Sequence, residues 1–582
     1  NQIKGVDINR FPAHLSAINL ALQDLDSETQ NVDVEIEDFF LIEASQGRIQ
    51  FKSKASVRGS GEDMETGGFD RVDALVGNPP YIRQEQIKSK RRCRKHLDKV
   101  GVDLGRRSDI YSYFFTHGFE FLKPGARVGF ITSDRWLSVK YGEKLQDFIL
   151  DHFRIKAIIN FSKQQFELAL ISTCVVVLEH CRDPEERHEN IVSMIQLRGR
   201  TDIQNVIQLV NEQSAPNKLV DKKEYRKVAL RQKDLHGVRK WNRFLNGPSV
   251  YWSIMQLPSI TKLGDIGKIR RGKTTGANAF FYFKERSDWE AEGIDERFVR
   301  PLLKHGSEMD GIELRSKDLE WWVLDVHDFI VEEVDGNDQW EGDTDSERAK
   351  HALRSKEYSS LVDYIDRGEQ KGYHERASVE TRRIWFDLGD LPTPPMALIE
   401  VYWRDCQTVY NTAEAAFDKR LYCLYGNDDV DDMVLAGILN TSLYAMIREL
   451  HGRTEQGQGM DRNTVMVYEA RQLPIPDPRS FDERKASTIK ECFSRLLEEE
   501  RTAIPDQLAK LKNALDAAVM DAIGMKDRKD DVQQAAAALL RMREEGAGMY
   551  TDVQVESEQI EQTLTGAVRV DGGPGSQLSM DM

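Results

Sequence analysis

The sequence predicts an α/β first domain, then an α+β domain and a helical end. Three observations carry that expectation. Up to about residue 190, short apolar runs alternate with amphipathic segments. One of those runs leads straight into Asn78-Pro79-Pro80-Tyr81. Beyond about residue 240 the rhythm is lost, and after Pro478 the pattern turns wholly helical. Strand and helix in alternation imply a parallel sheet covered on both faces.

In chain order, Ile3–Ile8, Ala74–Val76, Val128–Ile131, Ile155–Ile159 and Thr173–Leu178 read as buried strands. Between them Ala13–Leu25, Ile110–Leu122 and Lys140–His152 have helical spacing. Leu122-Lys123-Pro124-Gly125 reads as a helix-to-strand turn. Residues 191–240 are polar and are expected to form a connector. Residues 241–478 mix short strands, aromatics and loops, with strands expected at Phe280–Phe283, Trp321–Leu324 and Leu421–Leu424. Residues 479–545 follow as helices over Phe481–Thr502, Ala509–Ile523 and Asp531–Glu545. The Gly-, Ser- and acid-rich stretch 546–582 is expected to be disordered.

A length of 582 residues requires more than one domain. Hydrophobic content of 40% and charged content of 31% suit a soluble globular chain. No uncharged apolar run is long enough to span a bilayer, and the first residues do not resemble a signal peptide. Six scattered cysteines are too few for a disulfide framework, so a cytoplasmic protein is expected. The net charge of −16 hides segregation: Lys88–Lys99 holds seven cations against one acid, Asp98. A nucleic acid responds to that local field, not to the total.

The chemistry is expected in the loop after the strand that ends at Gly77. Ligands of open sheets bind at the carboxyl ends of strands. Pro79 and Pro80 cannot continue a ladder, and they hold the loop extended. That stiffness points the Asn78 side-chain oxygen and the Pro79 carbonyl at one place. Two acceptors there draw a conjugated amine, such as N6 of adenine, toward tetrahedral geometry and localise its lone pair for attack on a sulfonium methyl. Tyr81 offers a face to a base taken out of the duplex.

These residues resemble the amino-methyltransferases of TaqI-like restriction-modification systems over most of residues 1–190. The resemblance implies a Rossmann-like sheet, S-adenosylmethionine as cofactor and adenine-N6 methylation of double-stranded DNA. In Gly5-Val6-Asp7-Ile8 it assigns Asp7 to the ribose hydroxyls and Ile8 to the adenine ring of the cofactor. In Ile36-Glu37-Asp38-Phe39 it assigns Asp38 to the adenine amino group and Phe39 to its ring. Asp109-Ile110-Tyr111, Lys123-Pro124-Gly125 and Ile131-Thr132-Ser133 match the elements that follow the loop, and Phe166 matches a second aromatic against the flipped base. The Gly-rich first motif is missing, since only four residues precede Gly5, so a fragment lacking its first strand is expected. A restriction nuclease, fused upstream or separate, is an expected partner. Two other readings stay open: methylation of a protein glutamine amide, and a DNA-binding subunit without catalysis.

The second region resembles the target-recognition domains of the same family. Gly267–Phe281 joins clustered cations, small residues and aromatics, a composition suited to a phosphate backbone. DNA contacts are therefore expected from Arg270, Arg271, Lys273, Thr275, Asn278 and Arg453, and from Lys88, Arg91 and Arg92 beside the catalytic loop. No metal is expected. Cys93 with His96, and Cys174 with His180 and Cys181, lack the second pair that a zinc site needs.

Overall fold

A computed structural model describes residues 3–23, 33–45, 48–50, 56–57, 69–161, 173–198, 201–212, 214–309, 311–337, 339–402, 408–455, 462–544 and 560–563. The chain divides into two compact units, Asn1–Ser249 with Ala547–Met582, and Val250–Gly546.

The first unit opens with β1 (Lys4–Asp7), α1 (Arg10–Gln23) and β2 (Asp33–Ile36). β1 and β2 pair in parallel, with Asp7 opposite Ile36, and Ser56–Val57 adds an antiparallel edge to β2. Ala13 and Ala17 of α1 pack with Val34 beneath them. The opposite stripe of α1, Phe11, Leu15, Ile18 and Leu22, is exposed, Phe11 by 78%.

The main sheet is separate from this small one. Its strands are β3 (Val72–Gly77), β4 (Leu122–Ser133), β5 (Phe153–Phe161), β6 (Thr173–His180), β7 (Ile191–Leu197), β8 (Lys218–Asp221) and β9 (Tyr225–Arg231). From one edge the order is β3, β4, β6, β5, β7, β9, β8, with Ile560–Thr563 on β8 at the far edge. β3–β4 and β5–β7 are parallel; the other pairings are antiparallel. The sheet is thus mixed where a parallel one was expected. β6 enters antiparallel between β4 and β5, which a sequence rhythm cannot show because it carries no strand direction. β5 is apolar at Ile155, Ala157, Ile158 and Ile159, all buried, as a central strand requires. β3 is the outermost strand, and its Val76 is 79% exposed.

Helices α2 (Lys90–Arg94), α3 (Leu97–Val100), α4 (Ile110–Phe119) and α5 (Lys140–His152) fill the connections. α4 packs on β3 and on the turn after β2: a Cβ on its Gly118 would meet Leu75 of β3 at 2.6 Å and the Phe39 ring at 3.9 Å. Lys123-Pro124-Gly125 belongs to the long strand β4 instead of forming a free turn, although Gly125 does take φ +80.

Residues 191–240 are not a connector. Their polar residues alternate with Val192, Met194, Val228 and Leu230, all fully buried, so three strands of the sheet were concealed by half-polar patterning. Of the stretch expected to be disordered, only Ile560–Thr563 is described, and it is a strand. The rest lies outside the described residues.

In the second unit a five-stranded sheet contains Gly267–Arg271, Leu421–Gly426, Met396–Ile399, Thr408–Asn411 and Glu313–Leu314 in that order. A four-stranded sheet holds Trp321–Leu324 between Tyr282–Phe283 and Val299–Leu303. Phe280 and Phe281, expected in a strand, sit in a helical turn, Asn278–Phe281, because Phe280 packs inward against Tyr364 and Trp385. The helices Glu483–Glu499, Pro505–Ala522 and Lys529–Glu544 belong to this same unit, with Phe493 and Leu515 in its core.

Candidate active site

Gly77 ends β3, and Asn78-Pro79-Pro80-Tyr81 leaves the sheet at its carboxyl end. Asn78 and Pro80 are exposed, Pro79 is buried and Tyr81 is half-buried. The Tyr81 hydroxyl donates to Asn78 Oδ1 at 2.7 Å. An amide oxygen has two lone pairs, so one remains for a further donor. Burial pushes the Tyr81 phenol up to about 12, and the nearby Cys174 at the start of β6 adds to this.

The loop is tied down from behind. Asp109 occupies the N-cap position of α4 but does not cap it. Its Oδ1 accepts from the Gln84 backbone N–H at 3.0 Å, and its Oδ2 accepts from the Tyr141 hydroxyl at 2.6 Å. Tyr141 in turn shares a 2.7 Å hydrogen bond with Tyr111. Ile110 N–H donates to Ile82 O at 3.1 Å, which closes the loop onto the helix. Asp109 and Tyr111 entered the sequence reading only through resemblance, and Tyr141 did not enter at all. A Tyr in the first turn of a helix carries no signal until its partner is seen.

Asp7 ends β1, half-buried; its Oδ1 accepts from Asn9 N–H at 2.7 Å. At the carboxyl end of β1, its carboxylate can accept from a hydroxyl ligand. Ile8 is exposed. Asp38 is more committed. Its Oδ1 caps the turn Phe39–Leu41 through Phe40 N–H at 3.0 Å, and its Oδ2 is paired with Arg92 at 2.6 Å. Phe39 stacks on Phe114 at 4.7 Å and meets Phe121 edge-on, so in this state its ring serves packing. Phe166 lies outside the described residues.

The basic run after the loop is folded back on its own unit. Arg92 pairs with Asp38, Lys95 with Glu43 at 2.9 Å and Arg94 with Asp103 at 3.5 Å. Lys88 and Arg91 are exposed. Arg92 is the correction here: a side chain drawn toward Asp38 is not directed at a phosphate.

In the second unit the expected cluster separates into outward and inward members. Arg270 and Asn278 are exposed; Asn278 lines a cavity of about 330 Å³ with Lys304, His305, Asp418, Lys419 and Arg420. Arg271 is paired with Glu400 at 3.1 Å and lies over the Tyr422 ring. Lys273 donates to Asp390 O at 3.1 Å, and burial lowers its pKa. Thr275 is buried, with its hydroxyl bonded to Asn278, and so presents no side chain to DNA. Arg453 is held by Glu469 at 2.8 Å. Lys273 and Thr275 build the loop, and its glycines permit it. A Cβ on Gly272 would meet Asp418 O at 2.3 Å. Arg382, missed in the sequence, donates to Thr275 O at 2.7 Å and braces the loop. The adjacent pair Arg382-Arg383 was its visible signal.

Two family models match separate parts of the chain: Eco57I restriction-modification methylase over residues 1–166, and the C-terminal domain of type II methyltransferase M.Eco57I over residues 240–510. Each of these two parts of the chain is thus similar to a part of the type II restriction-modification methyltransferases. It is 37% identical over 93 residues to the type II methyltransferase M.BstVI of Geobacillus stearothermophilus, covering 16% of each chain. It is 21% identical to M.XamI of Xanthomonas campestris pv. amaranthicola, over 66% of this chain and 64% of that one. Among solved structures, the type IIL restriction-modification enzyme MmeI in complex with DNA aligns at TM-score 0.44 and 13% identity, over 82% of this chain and 57% of that one. The chain therefore spans less than two thirds of the length of each of these relatives.

Proposed function

We propose that the chain methylates N6 of adenine in double-stranded DNA. The observation that supports this best is the Asn78-Pro79-Pro80-Tyr81 corner, held from behind by Asp109, with Asn78 exposed and its Oδ1 already oriented by the Tyr81 hydroxyl. S-adenosylmethionine, when bound, supplies a methyl group on a sulfonium. Asp7 would hold its ribose. Asn78 Oδ1 and the Pro79 carbonyl accept the two amine hydrogens of a flipped adenine, and a neutral amide does this without ionising. Tyr81 stays protonated at any ordinary pH, so it orients Asn78 and offers its ring to the base. The second unit reads the target, with Arg270 and Asn278 as its outward contacts.

The test is transfer of labelled methyl to duplex DNA, followed by digestion to nucleosides. N6-methyladenine is the expected product. Label in N4-methylcytosine, or in protein instead of DNA, would overturn the reading.

A further inference from the structure

We propose that His96, His117 and Glu120 form a binding site for a divalent cation of the zinc class, between the start of α3 and the end of α4. Their ligand atoms lie within 4.8 Å of one another, and both histidines are buried.

The argument turns on which ring nitrogens carry hydrogen. His96 Nε2 lies 3.1 Å from Phe40 O, and His117 Nε2 lies 3.0 Å from Phe39 O. A carbonyl oxygen only accepts, so both Nε2 atoms must carry the hydrogen. In a neutral imidazole that leaves Nδ1 as a bare lone pair. Both Nδ1 atoms lie 3.2 Å from the same oxygen, Glu120 Oε1. With both rings neutral, two lone pairs and a carboxylate then converge in a buried place, and Lys99 Nζ stands 3.8 Å from the other carboxylate oxygen. His96 Nδ1, on a ring 1% exposed, has no hydrogen-bond partner in suitable geometry. Such a convergence of acceptors is stable around a cation.

The spacing fits. Ligands at about 2.1 Å from a tetrahedral ion stand roughly 3.4 Å apart. Two imidazoles and one carboxylate are a zinc ligand set that leaves a further position open. Backbone carbonyls on the outer ring nitrogens are the usual second partners of ligating histidines. Glu120 also lines a cavity of about 420 Å³, which provides an entry path. Short-range sequence spacing could not show this group, because His96 is joined to residues in another helix.

The carbonyls in question belong to Phe39 and Phe40, next to Asp38, so the ion would anchor the turn that Asp38 caps.

The test uses the whole untagged chain, stripped with a chelator and titrated with Co²⁺ alone. One equivalent per chain is expected, with visible ligand-field bands that Zn²⁺ abolishes. Glu120→Gln keeps size and should weaken Co²⁺ by more than the roughly 10–100-fold typical of losing an outer partner. X-ray absorption of the Zn²⁺-loaded native chain should show two imidazoles with oxygen, and it decides the matter if the variant does not fold. Absence of Co²⁺ binding, sulfur ligation, or unchanged affinity in folded Glu120→Gln would overturn the site. So would NMR evidence that protons on both Nδ1 atoms replace the ion.

Discussion

At the scale of single residues, the corner after β3 makes unequal demands on its neighbours. Asn78→Ala removes the acceptor itself and should lower kcat on the order of 10²–10³-fold, with DNA affinity in a gel-shift titration nearly unchanged. Tyr81→Phe keeps the ring and loses one hydrogen bond to Asn78, so the loss should be only about 10-fold. With the phenol pushed up to about 12, the alkaline limb of a pH–rate profile should not fall at pH 9–10 on account of Tyr81, and the profiles of native and Tyr81→Phe enzyme should run parallel there. Asp109→Ala strips partners from Gln84 N–H and the Tyr141 hydroxyl. Leaving such groups unsatisfied costs about 1–3 kcal/mol. Lower kcat at little-changed KM for DNA would mark Asp109 as a positioning residue. The Asn-Pro-Pro-Tyr letters were readable in the chain because two prolines are a local constraint. Asp38 was not readable in the same sense. Its letter was visible, but its pairing with Arg92 depends on a helix more than fifty residues away.

At the scale of elements, legibility follows how local the cause is. Lys140–His152 was bounded correctly because its own apolar spacing, with Leu145, Phe148 and Ile149 buried, decides it. Trp321–Leu324 was likewise a strand as expected. Phe280–Phe283 failed because tertiary packing of Phe280 overrode the β-propensity of an aromatic run. The stretch 191–240 failed because strands with half-polar patterning resemble a linker when their neighbours are unknown. In the loop after Arg271, Gly276 takes φ +71, and a Cβ there would meet Ser378 Oγ at 2.5 Å. Gly276→Ala should cost about 1–2 kcal/mol from the backbone alone, read as a shift of the urea midpoint. It should weaken DNA binding more than Ala substitution at exposed Lys268 does.

At the scale of the whole molecule, the segregation of charge matters more than its sum. If Lys88, Arg91 and Arg270 meet phosphates, each should contribute roughly 0.9 to the slope of log K against log salt. Arg92, Arg271 and Arg453 are already paired within the protein and should contribute less. A salt titration of the single Ala variants measures this directly.

The rim of β3 has a practical consequence. Its outward backbone amides and carbonyls meet no other strand among the described residues, Val76 stands clear of any cover, and the apolar stripe of α1 is equally bare. Seams of this kind adhere to one another in a test tube. Light scattering of the purified chain should climb with concentration, and a lysine in place of Val76 should flatten that climb while leaving far-ultraviolet dichroism alone.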